Sequence, residues 1–438
     1  MKEREKEIFA NRGITLVALI ITIIVLLILA GVSLSFVFNG GIIDKTQQSV
    51  NEYQNKATNE SEILGYIDNY LNNKINEIGG GMDVPEGPDD TDVPAVDGNG
   101  LATENTTIVA KDDPSIQIVI PEGFAPVILQ TDRTYSMPGD DGAVKEIMPK
   151  EDWNSITKEQ INKGIVVVDH AITYTDSVPD FNEYVWVPIV NSSKFARVKW
   201  NGAYFDGRTW IAGTHPLADV STSGAYWEET SSEEYTNMIS SVRRNKGFYI
   251  SRYEASPKDD STAQSKRGQN PWVNVSQTTA KTASSNMKES LKSHLIYGIE
   301  WDSVLQWALD SQAIIGSASG ETKVITEYDI QIDSSSWGNY DNSTGGAATN
   351  SGDSVEVGGR NEYWKVNNIY DLAGNVWEWT QEKYSTATVC AFRGGYYNFY
   401  GDAGPAVTRT HDIESYTSDV CRVQGRLLCV ALYSGSEN

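Results

Sequence analysis

Apolar residues run along this chain in three different rhythms, and each predicts a different kind of structure. Residues 13–43 carry no charge at all, and 14–38 are mostly apolar. As a helix rising 1.5 Å per residue, 14–38 reaches roughly 37 Å, enough to cross a ~30 Å hydrocarbon layer with some tilt. Lys2, Arg4, Lys6 and Arg12 slightly outweigh Glu3, Glu5 and Glu7, which favours an inside N-terminus and an outside bulk. After Asn39-Gly40-Gly41 interrupts the run, Ile63, Ile67, Tyr70, Leu71, Ile75 and Ile78 recur at spacings of three and four. That spacing predicts a helix over about 43–78 with one apolar stripe, which needs a partner: the chain's own globular part, a neighbouring subunit or a bundle. Gly, Pro and Asp then dominate to about residue 104, as in an exposed linker held extended by its own charge.

Beyond the linker the rhythm shortens to strands divided by polar turns, beginning with 116–120 and 125–129. Helical spacing is clearest over 153–163 and 301–309, the latter with Trp301, Val304, Leu305 and Ala308 on one face. The stretches 212–232 and 334–359 are long, polar and rich in glycine, and read as surface loops. The class expected is α+β with much irregular structure, and 438 residues with 39% hydrophobic content, 12 Trp and 22 Tyr supply a large core. A formal charge of -24 without a basic patch argues against a nucleic-acid partner. The three cysteines, Cys390, Cys421 and Cys429, lack metal-ligand spacing; Cys421 with Cys429 as a disulfide and buried thiols both remain open.

One short run concentrates the chemistry. Asn-Ile-Tyr-Asp-Leu-Ala-Gly-Asn-Val-Trp-Glu-Trp-Thr, from Asn368 to Thr380, offers the carboxylates of Asp371 and Glu378 and the carbonyls of Gly374 and Val376. That is the all-oxygen set a hard cation such as Ca²⁺ prefers, although a core strand after a glycine turn accounts for the same residues. Trp377 and Trp379 alternate with Glu378 as in a half-buried strand.

The run closely resembles the signature of the formylglycine-generating enzyme family, or sulfatase-modifying factor domains, which have a variant of the C-type lectin fold. Tyr-Val-Trp-Val-Pro (Tyr184 to Pro188), Gly-Phe-Tyr-Ile-Ser-Arg-Tyr-Glu (Gly247 to Glu254), the stretches 271–275 and 295–307, and Arg393-Gly394-Gly395 extend the match in order. The resemblance implies a lectin-type domain over 105–434, with a structural Ca²⁺ at Asp371, Gly374, Val376 and Glu378. It also tests the enzymatic reading. Active members use two cysteines after Arg-Gly-Gly to bind copper and supply the redox sulfur, and the matching positions here are Phe399 and Gly404, which can do neither. His170, His215, His294 and His411 are too scattered for the histidine-rich iron site of related enzymes, and paired acids such as Asp259-Asp260 lie in polar runs. No catalytic residue and no catalytic cofactor is expected.

What the C-terminal segment does offer is Tyr396, Tyr397, Asn398, Phe399, Tyr400, Asp402, His411, Asp412, Ser415, Tyr416 and Asp419 among small residues. Rigid aromatics beside adaptable polar groups suit a recognition surface, and a polar loop before a closing strand has the same composition. The segment is similar to the variable region of target proteins of diversity-generating retroelements, whose lectin-like domains vary a binding face through mutated adenines; the closing Gly425-Arg426-Leu427-Leu428 departs from the usual Gly-Phe-Arg. At the other end, Arg12-Gly13-Ile14-Thr15-Leu16 resembles the processing site of type IV prepilins, an uncleaved signal anchor being the alternative. That likeness implies a leader over 1–13, cleavage after Gly13, methylation of Ile14 and a pilin-like transmembrane and stalk helix over 14–78. The glutamate that registers pilin subunits in a filament is Ala18 here. Together these readings describe a single-pass surface protein with a non-catalytic domain outside the cell, pilus-associated or not, binding a protein or glycan. Its other partners are the membrane and pilin-like subunits. An extracellular modifying enzyme and a filament-capping minor pilin are the alternatives.

Overall fold

A computed structural model of the chain describes residues 93–130, 142–205, 210–215, 227–229, 232–348, 354–384, 389–413, 415 and 427–430, all within the unit Asp92–Asn438. Two sheets dominate. The strands are β1 (Ala125–Leu129), β2 (Val144–Ile147), β3 (Val166–Val168), β4 (Glu183–Pro188), β5 (Asn201–Phe205), β6 (Trp210–Thr214), β7 (Trp227–Glu229), β8 (Gly247–Ser251), β9 (Ser293–Leu295), β10 (Glu378–Tyr384), β11 (Val389–Arg393), β12 (Arg409–Ile413) and β13 (Leu427–Val430). A seven-stranded antiparallel sheet runs β9-β13-β8-β4-β3-β1-β2. A six-stranded sheet runs β6-β5-β12-β11-β10-β7, antiparallel except where Arg409 of β12 meets Tyr204 of β5. The helices are short: α1 (Lys158–Asn162), α2 (Glu233–Asn245), α3 (Gln277–Met287), α4 (Gly298–Asp310) and α5 (Glu327–Gln331).

This corrects the expected fold class, an α+β C-type lectin fold carrying a long N-terminal pilin-like helix. The described residues are a strand-rich mixed architecture whose longest helices have 13 residues, and none of these helices is long and apolar enough to cross a membrane. Helical spacing simply does not persist, whereas alternating apolar positions recur and find partners far along the chain. The leader, the Gly13–Ile14 junction and the 14–78 helix lie outside the described residues.

The central strand β4 shows how alternation builds the core. Tyr184 and Trp186 point to one face, where they pack with Ile118, Trp153 and Met287; Val185 and Val187 point to the other, against Trp301, Val304 and Leu305 of α4. Both faces are covered, so Glu183–Pro188 is buried throughout. Expected strands 116–120 and 125–129 lie in Asp113–Ile120 and Ala125–Leu129, and the 301–309 pattern lies inside α4. The 153–163 pattern instead divides into a 3-10 turn, Lys150–Ser155, and α1. Leu101 and Ala102, at the end of the stretch read as linker, are buried.

Two further readings change. Residues 334–340, read as surface loop, are buried, with Trp337 donating to the Asp329 carbonyl at 3.1 Å. The 212–232 stretch includes part of β6 and all of β7. α2 escaped notice because its face is mostly polar; its signals are terminal, with Ser232 accepting from the Tyr235 N–H, Glu233 and Glu234 in the first turn and Arg243 and Arg244 in the last.

At the junction of β9 and α4 a buried histidine is held charged. Nδ1 of His294 lies 3.0 Å from the Lys292 carbonyl and Nε2 lies 3.1 Å from Oε1 of Glu300, and both neighbours can only accept, so both nitrogens donate. Glu300 also accepts the Tyr297 N–H at 2.8 Å, capping α4. Burial opposes the charge, but the Glu300 carboxylate, the Lys292 carbonyl and the more distant Glu234 outweigh it and raise the pKa above the ordinary 6.5. The stability this pair contributes is therefore fully present below about pH 6.5 and lost as pH rises through the higher folded value. Urea unfolding should show stability falling from about pH 6 into the alkaline range more steeply for the native chain than for His294→Gln; parallel pH profiles would refute the charged pair.

Candidate functional site

The run from Asn368 to Thr380 folds as a turn feeding β10, and its backbone needs the residues it has. Asn368, Asp371, Gly374 and Asn375 all sit at positive φ (68°, 58°, 75° and 59°), a region that Asn, Asp and Gly tolerate best. Asn375 is the hub. Its side-chain carbonyl accepts from Asn339 Nδ2 and the Glu356 N–H, both at 2.9 Å, while its Nδ2 donates to the Glu356 carbonyl at 3.1 Å and to Glu254 Oε2. Glu254 also accepts the Val376 N–H at 3.2 Å. A second clamp joins the other motifs: Arg252 pairs with Glu183 and donates from Nε to the Asn368 carbonyl at 3.2 Å. The separate sequence matches thus meet in space.

Asp371 and Glu378 are both buried, at 1% and 0% exposure. Beside Gly394, where φ is +89°, a Cβ would stand 3.1 Å from Glu378 Oε2, 3.3 Å from the Leu372 carbonyl oxygen and 3.4 Å from Trp301 Cη2, so the position is closely packed. The positive φ and these close neighbours together favour glycine there. Among the described residues no group of three or more His, Cys, Asp or Glu side chains is placed to hold a metal ion, so a cation here would depend on backbone carbonyls as well.

The six-stranded sheet presents two chemically opposite faces. Register pairs Glu378 with Arg393 and Arg393 with Arg409 on one face, and Trp379 with Phe392 and Phe392 with Thr410 on the other. On the first face Arg393 bonds Glu382 and, at 2.8 Å, Asp302 of α4. Arg409 bonds Glu382 at 2.9 Å and Asp302 at 2.7 and 2.9 Å, and Arg197 pairs with Glu382. Trp200 Nε1 and the Val198 N–H complete the shell of Asp302 at 2.9 and 3.0 Å. Three guanidinium groups thus meet two carboxylates, and all but Arg197 are fully buried. Burial acts to raise the Glu382 pKa, yet Arg409, Arg393 and Arg197 together hold it far below the usual range. His215, whose Nδ1 faces Arg409 at 2.7 Å, is kept neutral by burial and by the neighbouring guanidinium groups. Gly298, the first residue of α4, allows the approach: a Cβ there would fall 2.3 Å from Glu382 Cδ.

The opposite face carries aromatics. Trp377 and Trp379 share it, as their alternation predicts, but at 3% and 0% exposure the strand is buried on both faces, not half-buried. Over Trp377 rises a ridge in which Tyr396 and Phe399 are stacked, centroids 5.5 Å apart and planes 17° from parallel, each about 6 Å from Trp377. Tyr396, Tyr397 and Phe399 are partly exposed, Asn398 and Asp402 exposed, and Tyr400 is 54% exposed. Main-chain bonds set the ridge: Tyr397 N–H to Asn375 O at 3.0 Å, Phe399 N–H to Tyr396 O at 3.1 Å, Gly404 N–H to Tyr400 O at 2.8 Å and Asp341 N–H to Phe399 O at 3.0 Å. The Tyr340 hydroxyl bridges the carbonyls of Gly394 and Gly404 at 2.8 and 2.9 Å.

The structure divides the residues expected to bind ligand. Tyr396, Tyr397, Asn398, Phe399, Tyr400 and Asp402 belong to one ridge. Asp412 pairs with Cys390, on the ridge face of the sheet, whereas His411 pairs with Ala391 and falls on the arginine face. Ser415 is exposed, and Tyr416 and Asp419 lie outside the described residues. Phe399 and Gly404, the positions matching the enzymes' cysteine pair, are spatial neighbours, since a Cβ on Gly404 would stand 2.6 Å from Phe399 Cδ1. Sequence reasoning missed Asp341 and Asn342, which reach the ridge from a polar stretch whose composition gave no sign of it. No protein-family model and no curated protein matches this chain.

The ion cluster yields a direct expectation. Glu382→Gln leaves three guanidinium groups facing one carboxylate in a buried site and should destabilise the domain by about 3–5 kcal/mol, read from urea unfolding. A loss below about 1 kcal/mol would mean that Glu382 is not the counter-ion of these arginines.

Proposed function

We propose that this domain is a non-catalytic recognition module that binds an extracellular protein or glycan through the 396–402 ridge. The observation that carries the reading is the ridge itself: rings stacked on Trp377, partly exposed, on a backbone held by its own hydrogen bonds. Such a platform offers contact area at little cost in conformational entropy. Because the bonds that shape it run mostly from main chain to main chain, side chains at Asn398, Tyr400 and Asp402 can change without undoing the turn, which suits the likeness to retroelement-diversified targets. Phe399 and Gly404 in place of a thiol pair speak against the copper chemistry of the enzymes this chain resembles.

Beneath the ridge, Asp371, Glu378 and nearby carbonyls are proposed to hold a structural Ca²⁺. Asp371 and Glu378 are buried acids of one turn, and with the carbonyls of Gly374 and Val376 they make the all-oxygen set a hard cation prefers.

Two measurements test this. Screened on an array of surface proteins and glycans, the full chain should show specific binding that disappears when Tyr396, Phe399 and Tyr400 are replaced together by alanine, and persists in His411→Ala; binding retained by the triple variant would move recognition elsewhere. Chelation by EGTA should lower Tm by about 5 °C, Ca²⁺ should restore it, and Asp371→Asn should abolish the response; a Tm indifferent to EGTA would remove calcium from the turn.

A further inference from the structure

We propose that the ridge selects a cationic partner, a protein segment that lays an arginine or lysine across the Tyr396 and Phe399 rings. This rests on the ridge being the binding face and adds the chemistry it recognises. Aromatic faces carry the negative side of the ring quadrupole and attract a cation within about 6 Å of the centroid. Tyr396 and Phe399 form a partly exposed stacked pair, and the half-exposed Tyr400 adds a third ring.

The charged residues of the ridge and of the strip bonded to it have one sign. The ridge itself, 395–404, and the strip bonded to it, 338–343, contain two charged residues, Asp402 and Asp341, and both are exposed. Asp341 is fixed beside the ridge by its N–H on the Phe399 carbonyl, and Asp402 Oδ1 lies 3.4 Å from Asn342 Nδ2. On the same face of the sheet Asp412 and Lys383 flank Cys390 from either side and offset each other. Over the whole chain the charge of -24 adds a field that draws cations and repels phosphorylated, sulfated or acidic-sugar ligands.

The interior of the domain shows what this combination holds. Tyr253 and Tyr370 are stacked at 5.2 Å with 26° between their planes, and the Arg252 guanidinium lies 5.5 and 5.4 Å from the two centroids while pairing with Glu183. Two stacked rings with a carboxylate alongside thus already bind a guanidinium in this protein. The ridge repeats the set at the surface, with Tyr396 and Phe399 as the rings and Asp341 or Asp402 as the acid. Asn398 and Asn342 could also bond sugar hydroxyls, which makes a neutral glycan the competing occupant.

The test is isothermal titration of the full chain with a hexapeptide of alternating arginine and glycine, the same peptide with citrulline for arginine, and chitohexaose. The expected result is binding of the arginine peptide, about tenfold weaker for citrulline and weakened further as salt rises to about 0.3 M. Phe399→Leu, and separately the double variant Asp341→Asn with Asp402→Asn, should each weaken it about fivefold; the double variant changes only exposed side chains, so folding is not at issue. Equal binding of the citrulline peptide, or binding of chitohexaose alone, lost in Phe399→Leu, would overturn the cationic preference while leaving the ridge as the binding face. Arginine-peptide binding indifferent to both variants would overturn the placement on the ridge as well. No binding of any probe would overturn the cationic preference.

Discussion

A buried crossing of charges organises the half of the domain that bears the ridge. Asp302 comes from α4, Glu382 from β10, Arg393 from β11 and Arg409 from β12, and bonds between these four fix the six-stranded sheet against the helix. Each charge removed from water would be ruinous alone, and each is tolerable because its partners come from a different element. The cluster therefore selects one mutual arrangement of a helix and three successive strands. Arg197 and His215 extend it toward β5 and β6.

The consequence appears on the other side of the same strands. Since residues alternate across a sheet, placing Arg393 and Arg409 toward α4 sends Phe392 and Thr410 outward, and Trp377 and Trp379 with them. Tyr396 and Phe399 then find a ready aromatic bed, where ring contacts of about 0.5–1.5 kcal/mol each supplement the area they bury. Charge on one face and rings on the other are one construction. The Asn375 hub joins it to the seven-stranded sheet through Glu254, so the turn, the ridge and the core strands share a scaffold.

Some of this was legible in the residues. The runs 116–120 and 125–129 announced strands, 301–309 announced a helix by spacing, and the Tyr396 to Asp402 composition announced a surface of rings and polar groups. Other elements hid. α2 is polar over most of its face and shows itself mainly in Ser232 and the charges at its two ends. Residues 334–340 look like a loop because Ser, Gly and Asn read as solvent-facing, yet they are buried where Trp337 and Tyr340 anchor them. His411 and Asp412 looked equivalent as neighbours in a polar run, and strand register sent them to opposite faces.

By itself the sequence determined the local terms: which short runs alternate, where glycine and asparagine permit positive φ, and that the chain is acid-rich. Those follow from residue chemistry and nearest neighbours alone. Only the tertiary structure decided that Glu254 reaches Asn375, that Asp341 reaches Phe399, and that three arginines share two carboxylates. These pairings include separations of 11 positions, Arg393 to Glu382, and of 121, Asn375 to Glu254, and depend on which sheet face a side chain takes, a property of strand partners that spacing within one strand cannot specify.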